Sequence, residues 1–316
     1  MRVKDHCLIL AAGFGTRMGE IGKVLPKVMW PVFHKSLLET QVLFARSLGY
    51  EKIYINVHHQ ASTILEMTQG NTNFKNVVWL KEFPEILDIG GGIHNLASQP
   101  EVNYTGRLLV LNADQVLWFT KANLDEWMQT LDGNDGVLLS LQVQSQQGYN
   151  QLVTEQGLLK SIKPNKEIHP AQEILTYSGN AIINLSTLKP QTGNSKFFDS
   201  VCPFDRKNIC IDVSDHPYWD FGTKERYFES LKRIIRERDK SDLREFYEFL
   251  TGSHIFNADL ADPQKISYNS DCAQGINLTQ GSRERVHNRG VLISGQGLDS
   301  SEKPSIRYNE IVDYLN

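Results

Sequence analysis

The sequence predicts an α/β fold, a Rossmann-like three-layer sandwich with a mostly parallel central sheet and a small C-terminal extension. Three observations predict it. The apolar run that opens at Leu8 breaks into the turn Gly13-Phe14-Gly15, the pattern of a buried strand feeding a glycine-rich loop. Strand patterns then alternate with helix patterns as far as Val143, which implies a parallel sheet covered on both faces. Arg107–Asn112, RLLVLN, is apolar almost throughout, as a central strand of such a sheet must be.

The elements follow in order. The first strand is expected over Val3–Leu10. Lys35–Ser47 is a helix, because Leu37, Leu38, Val42 and Ala45 recur on one face. Lys52–His59 is a strand, Ala61–Gln69 a short helix ending near Gly70, and Val77–Lys81 a third strand. Arg107–Asn112 is the fourth, Leu124–Thr130 a helix, and Gly136–Val143 another strand. Lys224–Glu237 is a helix with Tyr227, Leu231, Ile234 and Ile235 on its core face. A further helix spans about Asp242–Leu250 and stops at Gly252. Beyond Ser253 the chain is polar, with one apolar segment, Gly290–Ser294, and no six-residue repeat. The expected division is a main domain over 1–240 and an extension over 241–316. The extension's role stays open between a small cap, an oligomer contact and a partly ordered tail.

Composition narrows the function. A chain of 316 residues has room for one large α/β domain and an appendage. A net charge of −4 argues against a nucleic-acid binder held by a broad basic surface. No apolar run approaches the ~18 residues needed to cross a bilayer, so no membrane partner is expected. The four cysteines form no C-x-x-C pair. They read as reduced, buried thiols of a cytoplasmic protein.

In an open parallel sheet, ligands sit at the carboxyl ends of the strands. The glycine loop follows the first strand and Asp114 follows Arg107–Asn112, so topology puts both on one rim. Gly13 and Gly15 allow a ligand to touch the backbone. Their N–H groups make a concave anion site. Arg17 and Lys27 just beyond make that anion a phosphate. The loop is not a P-loop. The dinucleotide fingerprint fails as well, at Met18. Asp114 is either a metal carboxylate or a helix cap. Gly90-Gly91-Gly92 is either a flexible loop or helix entry, or a close backbone approach to a flat base.

The loop LAAGFGTRM at Leu10–Met18, with Pro26-Lys27 and Pro31-Val32, resembles the sugar-phosphate nucleotidyltransferases, which join a nucleoside triphosphate (NTP) to a sugar 1-phosphate. The segment YWDFGTKERY at Tyr218–Tyr227 matches that family's W-x-D-x-G-T-x-E-R, independently of the first motif. The resemblance runs from Met1 to about Arg238. It implies the nucleotide-diphospho-sugar transferase fold and a set of roles. Ala11, Ala12, Gly13, Gly15 and Thr16 cradle the nucleotide. Arg17 and Lys27 neutralise phosphates, and Asp114 and Asp220 hold Mg²⁺. Leu87–Ile93 is similar to the LETGGG of the muramate and heptose 1-phosphate branches, which assigns Gly90 and Gly91 to the base. Asp88 and Ile89 depart from that pattern.

Lys163-Pro164 resembles the family's EKP element, with Ile162 in place of the glutamate, and assigns Lys163 to the sugar phosphate. Thr176–Asn180, TYSGN, resembles the segment lining the sugar pocket. There Gly179 lets the hexose near the backbone, and Asn180 either bonds a hydroxyl or caps a turn. Thr223 is expected to cap the helix that follows it. Val28 and Trp30 also depart from the family pattern. The implied partners are an NTP and a phosphorylated small-molecule acceptor, with a homo-oligomer compatible. Two other readings remain: a cytidylyltransferase acting on a non-sugar phosphate such as phosphocholine, and a non-catalytic nucleotide-sugar sensor.

Overall fold

Cys7, Leu8 and Ile9 are fully buried, and the strand they form, β1 (Asp5–Leu10), is flanked by parallel partners on both sides. The computed structural model describes residues 4–33, 35–237, 243–251, 276–277, 290–294 and 305–315. The chain folds as two units, neither of them a continuous segment. One is Met1–Phe14 with Gln41–Tyr218, the other Gly15–Thr40 with Trp219–Asn316. The boundary expected at residue 240 falls inside the second unit.

The first unit holds a nine-stranded sheet. Its strands after β1 are β2 (Ile53–Val57), β3 (Val77–Lys81), β4 (Arg107–Asn112), β5 (Gly136–Gln144), β6 (Gln151–Glu155), β7 (Leu158–Lys163), β8 (Glu173–Asn184) and β9 (Asn208–Asp212). They lie in the order β3-β2-β1-β4-β8-β5-β9-β7-β6. The first four are mutually parallel. β8 runs antiparallel to both β4 and β5, so β5 points the same way as β4, and β9 is parallel to β5. The sheet is therefore mostly parallel, with the antiparallel β6–β7 hairpin at one edge. Leu8, Tyr54, Leu80, Val110, Leu138 and Ile183 pack into one core with Ile93 and Leu96.

Helix α1 (Leu37–Ser47) buries Leu37, Leu38, Val42 and Ala45, as the pattern predicts. It starts two residues late because Lys35–Ser36 pairs with Pro31–Val32, and the Ser36 hydroxyl accepts the Glu39 amide at 3.1 Å. Helix α2 (Ala61–Thr68) follows β2, and α3 (Asp88–Ala97) follows β3. Helix α4 (Lys121–Gln129) starts three residues before the expected Leu124, because Thr120 and Asn123 form a reciprocal capping box.

The three consecutive glycines lie inside α3 and are all buried. The segment is thus the opening part of a helix and not a flexible loop. A Cβ on Gly90 would stand 2.4 Å from Ser200 Oγ, and one on Gly91 2.4 Å from the Gly193 carbonyl oxygen. Their cost in helix propensity is offset by this close backbone packing. Asp88 opens the helix at φ 59°, a conformation Asp tolerates, and its carboxylate accepts the Ile89 amide at 2.6 Å.

In the second unit, α5 (Lys224–Glu237) buries Tyr227, Leu231, Ile234 and Ile235. Helix α6 (Arg244–Thr251) packs beside it: Phe246 stacks on Trp219 at 4.0 Å, and the Tyr247 hydroxyl donates to the Ile234 carbonyl at 2.7 Å. The expected ends of that helix, Asp242 and Gly252, lie outside the described residues. Four tail strands form a sheet: β10 (Ile276–Asn277), β11 (Gly290–Ser294), β12 (Ser305–Tyr308) and β13 (Ile311–Tyr314). The first three are parallel. Ile276 pairs with Val291 and Val291 with Ile306, so each strand lies fifteen residues beyond the last. The tail thus carries a register that a search for six-residue periods misses.

Cys7 and Cys202 are buried thiols whose acidity is suppressed by that burial. Burial pushes Cys210 up to about 11. Cys272 lies outside the described residues. Among those residues no helix is long and apolar enough to cross a membrane.

Candidate functional site

The predicted residues divide between the two units. Ala11, Ala12, Gly13, Gly90, Gly91, Asp114, Lys163, Gly179 and Asn180 lie in the first, and Gly15, Thr16, Arg17, Lys27 and Asp220 in the second.

In the first unit, Leu10 pairs with Asn112, so the loop after β1 and the turn holding Asp114 share the carboxyl edge of the sheet. The Ala11 amide donates to Asn56 Oδ1 at 2.8 Å, and Asn56 Nδ2 donates to Glu82 Oε1 at 2.7 Å. The other Glu82 oxygen accepts the Leu87 amide at 2.8 Å. Asn56 and Glu82 are both buried. This network ties the start of the glycine loop to the entry of α3. Sequence reasoning missed it, although a lone asparagine inside the fully buried strand IYINV was an available signal. Ala11 and Ala12 are buried, whereas Gly13 is exposed with open space where a Cβ would stand.

Three expected site positions of this unit are engaged in packing. The Gly91 amide donates to the Ser195 carbonyl at 3.1 Å, and the Cβ sides of Gly90 and Gly91 are filled by the 193–200 segment. The Cβ sides of these glycines serve helix packing. Gly179 sits at φ 85° beside a bulge in β8, and a Cβ there would stand 1.9 Å from Gln115 Oε1. The glycine accommodates Gln115, which also accepts from Asn112 Nδ2 at 3.0 Å. Asn180 is buried; its Oδ1 accepts the Asn112 amide at 3.3 Å, and its Nδ2 donates to the Ser178 carbonyl. It pins the bulge, with its side-chain amide bonded within the sheet.

Lys163 ends β7 opposite Gln151, half-buried. Thr176 Oγ1 donates to the carbonyl of the adjacent Asn150 at 2.8 Å, which brings the Thr176–Asn180 segment and Lys163 into one neighbourhood. Ile162, the departure beside it, packs against the core.

In the second unit, Gly15 takes φ 63° and ψ 17° and opens the turn Thr16–Met18. A left-handed residue followed by a right-handed turn is the arrangement that aims successive N–H groups at an anion. Thr16 and Arg17 are exposed. The two motifs meet at Gly222. Lys27 Nζ donates to its carbonyl at 3.0 Å, across 195 residues of sequence. Its amide donates to Asp220 Oδ1 at 2.6 Å, and Asp220 Oδ2 pairs with Arg226 Nη1 at 2.6 Å. Arg17 Nη2 lies 3.8 Å from where a Gly222 Cβ would stand.

Lys27 and Asp220 thus bind one glycine, Arg17 lies beside it, and Arg226 joins through Asp220. Arg226 is a motif residue to which the sequence assigned no role. Thr223 Oγ1 accepts the Arg226 amide at 3.2 Å and caps α5 as predicted. The departures Val28 and Trp30 are buried, and Trp30 meets Tyr227 edge-on at 4.9 Å.

Among the described residues no three His, Cys, Asp or Glu side chains cluster into a cation site. Mg²⁺ requires no such cage, since it takes one or two carboxylates and completes its shell with water and phosphate oxygens. The carboxylate oxygens of Asp114, in the first unit, and of Asp220, in the second, are the donor type that Mg²⁺ takes.

The MobA-like NTP transferase domain family matches residues 7–247. A bifunctional protein GlmU from Marinobacter nauticus is 30% identical over 281 residues, covering 86% of this chain and 59% of that protein. The GlmU of a Janthinobacterium species is 28% identical over 53% of this chain and 34% of its own length. The chain thus spans three-fifths or less of these relatives. Among solved structures, HddC from Yersinia pseudotuberculosis superposes with a TM-score of 0.60 at 20% identity, over 73% of this chain and 99% of that one. A glucose-1-phosphate thymidylyltransferase, described as putative, from Bacillus anthracis gives 0.57 at 18% identity, over 75% and 96%. Both are likenesses of fold.

Proposed function

This chain belongs to the MobA-like NTP transferase domain family, among the sugar-phosphate nucleotidyltransferases, and from that premise we propose that it joins an NTP to a sugar 1-phosphate. The observation that carries the reading is the meeting of both motifs at Gly222, beside which Arg17 lies, whose carbonyl binds Lys27 and whose amide binds Asp220, the partner of Arg226. Such a cluster suits the reaction's central difficulty, the approach of two anions. Two unit charges 4 Å apart repel by roughly 4 kcal/mol at an effective dielectric near 20.

An oxygen of the sugar phosphate attacks the α-phosphorus in line. The new P–O bond forms as the bond to the β-phosphate breaks, and the electron pair leaves with pyrophosphate. The backbone of Ala11–Gly13, Gly15 and Thr16 cradles the nucleotide. Arg17 and Lys27 neutralise the triphosphate and the departing pyrophosphate, and Lys163 receives the sugar phosphate. Asp114 and Asp220 would hold Mg²⁺, which would supply further charge neutralisation. Catalysis is then chiefly positioning and electrostatics. The site functions in the cytoplasm.

The test is pyrophosphate release with Mg²⁺, with ATP, CTP, GTP and UTP each offered against a panel of sugar 1-phosphates and phosphocholine. Release that requires one NTP and one sugar 1-phosphate is expected. Release with phosphocholine alone, or none with any pair, overturns the reading.

A further inference from the structure

The tail strand β13 reaches the signature loop. Asp313, on that strand, is buried, with its side chain only 9% exposed. Its two carboxylate oxygens accept two consecutive amides, Glu20 N at 3.2 Å and Ile21 N at 2.9 Å, across nearly the whole length of the chain. The approach requires glycine next door. Gly19 takes φ 66°, and a Cβ on it would stand 2.6 Å from both Asp313 oxygens. The counter-charge is Lys224, whose Nζ lies 4.0 Å from Asp313 Oδ1 and donates to the Tyr314 carbonyl at 2.7 Å. Lys224 opens α5, four residues beyond Asp220.

One buried carboxylate therefore fixes the backbone two to four residues after Arg17 and is charge-paired with the helix that follows Asp220. Charge-assisted bonds to backbone N–H groups are among the stronger ones a protein makes. The family match ends at residue 247, so this clasp comes from chain beyond it.

We propose that Asp313 is a positioning residue that holds the Arg17–Lys27 strap in its triphosphate-binding geometry, making the tail a part of nucleotide recognition. The inference rests on the reading of that strap as the triphosphate's partner, and not on the identity of the acceptor. Lost positioning appears as weaker triphosphate binding rather than as a changed preference among bases.

The test uses the full chain and two readouts that need no turnover. These are amide hydrogen exchange over Gly19–Lys23, and calorimetric dissociation constants for inorganic tripolyphosphate and for the NTPs. Asp313→Ala is expected to speed exchange and to weaken tripolyphosphate binding roughly ten-fold, the scale of losing charge-assisted bonds to two amides. Asp313→Asn, which keeps one acceptor oxygen, should recover part of both. Gly19→Ala should reproduce the Ala phenotype with the carboxylate intact. Glu310→Ala, an exposed change in the same hairpin, should behave as the parent. Parental tripolyphosphate affinity in Asp313→Ala, or no tripolyphosphate binding by the parent, overturns the proposal. A parent that binds triphosphate in an Asp313-dependent way yet releases no pyrophosphate would sustain this inference while ending the proposed reaction.

Discussion

Asp220 is held by two groups of opposite kind, a backbone amide on one oxygen and a guanidinium on the other. That grip fixes the orientation of the carboxylate. Replacing it by asparagine keeps the shape and removes the charge. Asp220→Asn and Asp114→Asn are each expected to lower turnover at least ~100-fold, the scale of removing one strong electrostatic element. Steady-state pyrophosphate release checks this, and near-parental rates in both variants would exclude these aspartates from catalysis. Asn56 makes a different prediction. It accepts the Ala11 amide and donates to the buried Glu82 carboxylate, so Asn56→Ala strips a partner from each. The expected loss is about 2–3 kcal/mol by urea titration, because a buried carboxylate loses a donor and a buried amide its acceptor.

Helix α3 is the element where local preference and tertiary packing disagree most. Three glycines weaken any isolated helix, yet here they let it lie against the 193–200 segment. Gly91→Ala would push a methyl group to 2.4 Å from a backbone carbonyl, which cannot rotate away. A destabilisation of about 1–3 kcal/mol is expected, the usual cost of overpacking, with nucleotide affinity unchanged. Weakened nucleotide binding at parental stability would assign these glycines to the base. The same contrast explains what the sequence made legible. β1, α1, β4 and α5 follow from local periodicity, and short motifs at fixed spacing single out Gly15, Arg17, Lys27, Asp114 and Asp220 as candidates. Contacts made across many residues left no local trace: Gln115 against Gly179, Ser200 against Gly90, and Asp313 against Gly19. Each shows in the sequence only as a glycine, and a glycine does not say what approaches it. The parallel register of β10, β11 and β12 was hidden similarly, because a fifteen-residue step has no composition of its own.

Across the whole molecule these local costs combine in the dependence of stability on pH. His6 and His94 are buried, and burial lowers both below the usual histidine value; Lys4 adds to the effect at His6. Folded, they bind a proton only at lower pH than they do in the unfolded chain. Just below pH 6.5 the unfolded state therefore carries more protons, and stability rises with pH through that window. The contribution is complete above about 6.5, the ordinary histidine value, and is lost as pH falls towards the lowered folded values. Glu101 acts further down. Its bond to Lys52 holds it at about 2, so its contribution is present above the ordinary carboxylate value and fades only as pH falls from there towards 2. Acidification from pH 7.5 to 5 should thus weaken the fold through the histidines while Glu101 still contributes. Urea titrations at pH 7.5, 6.0 and 5.0 should give falling free energies in the parent. The slope should be flatter in a His6→Gln/His94→Gln double variant, whatever its absolute stability. Parallel slopes in the two proteins would mean that other groups carry the acid sensitivity.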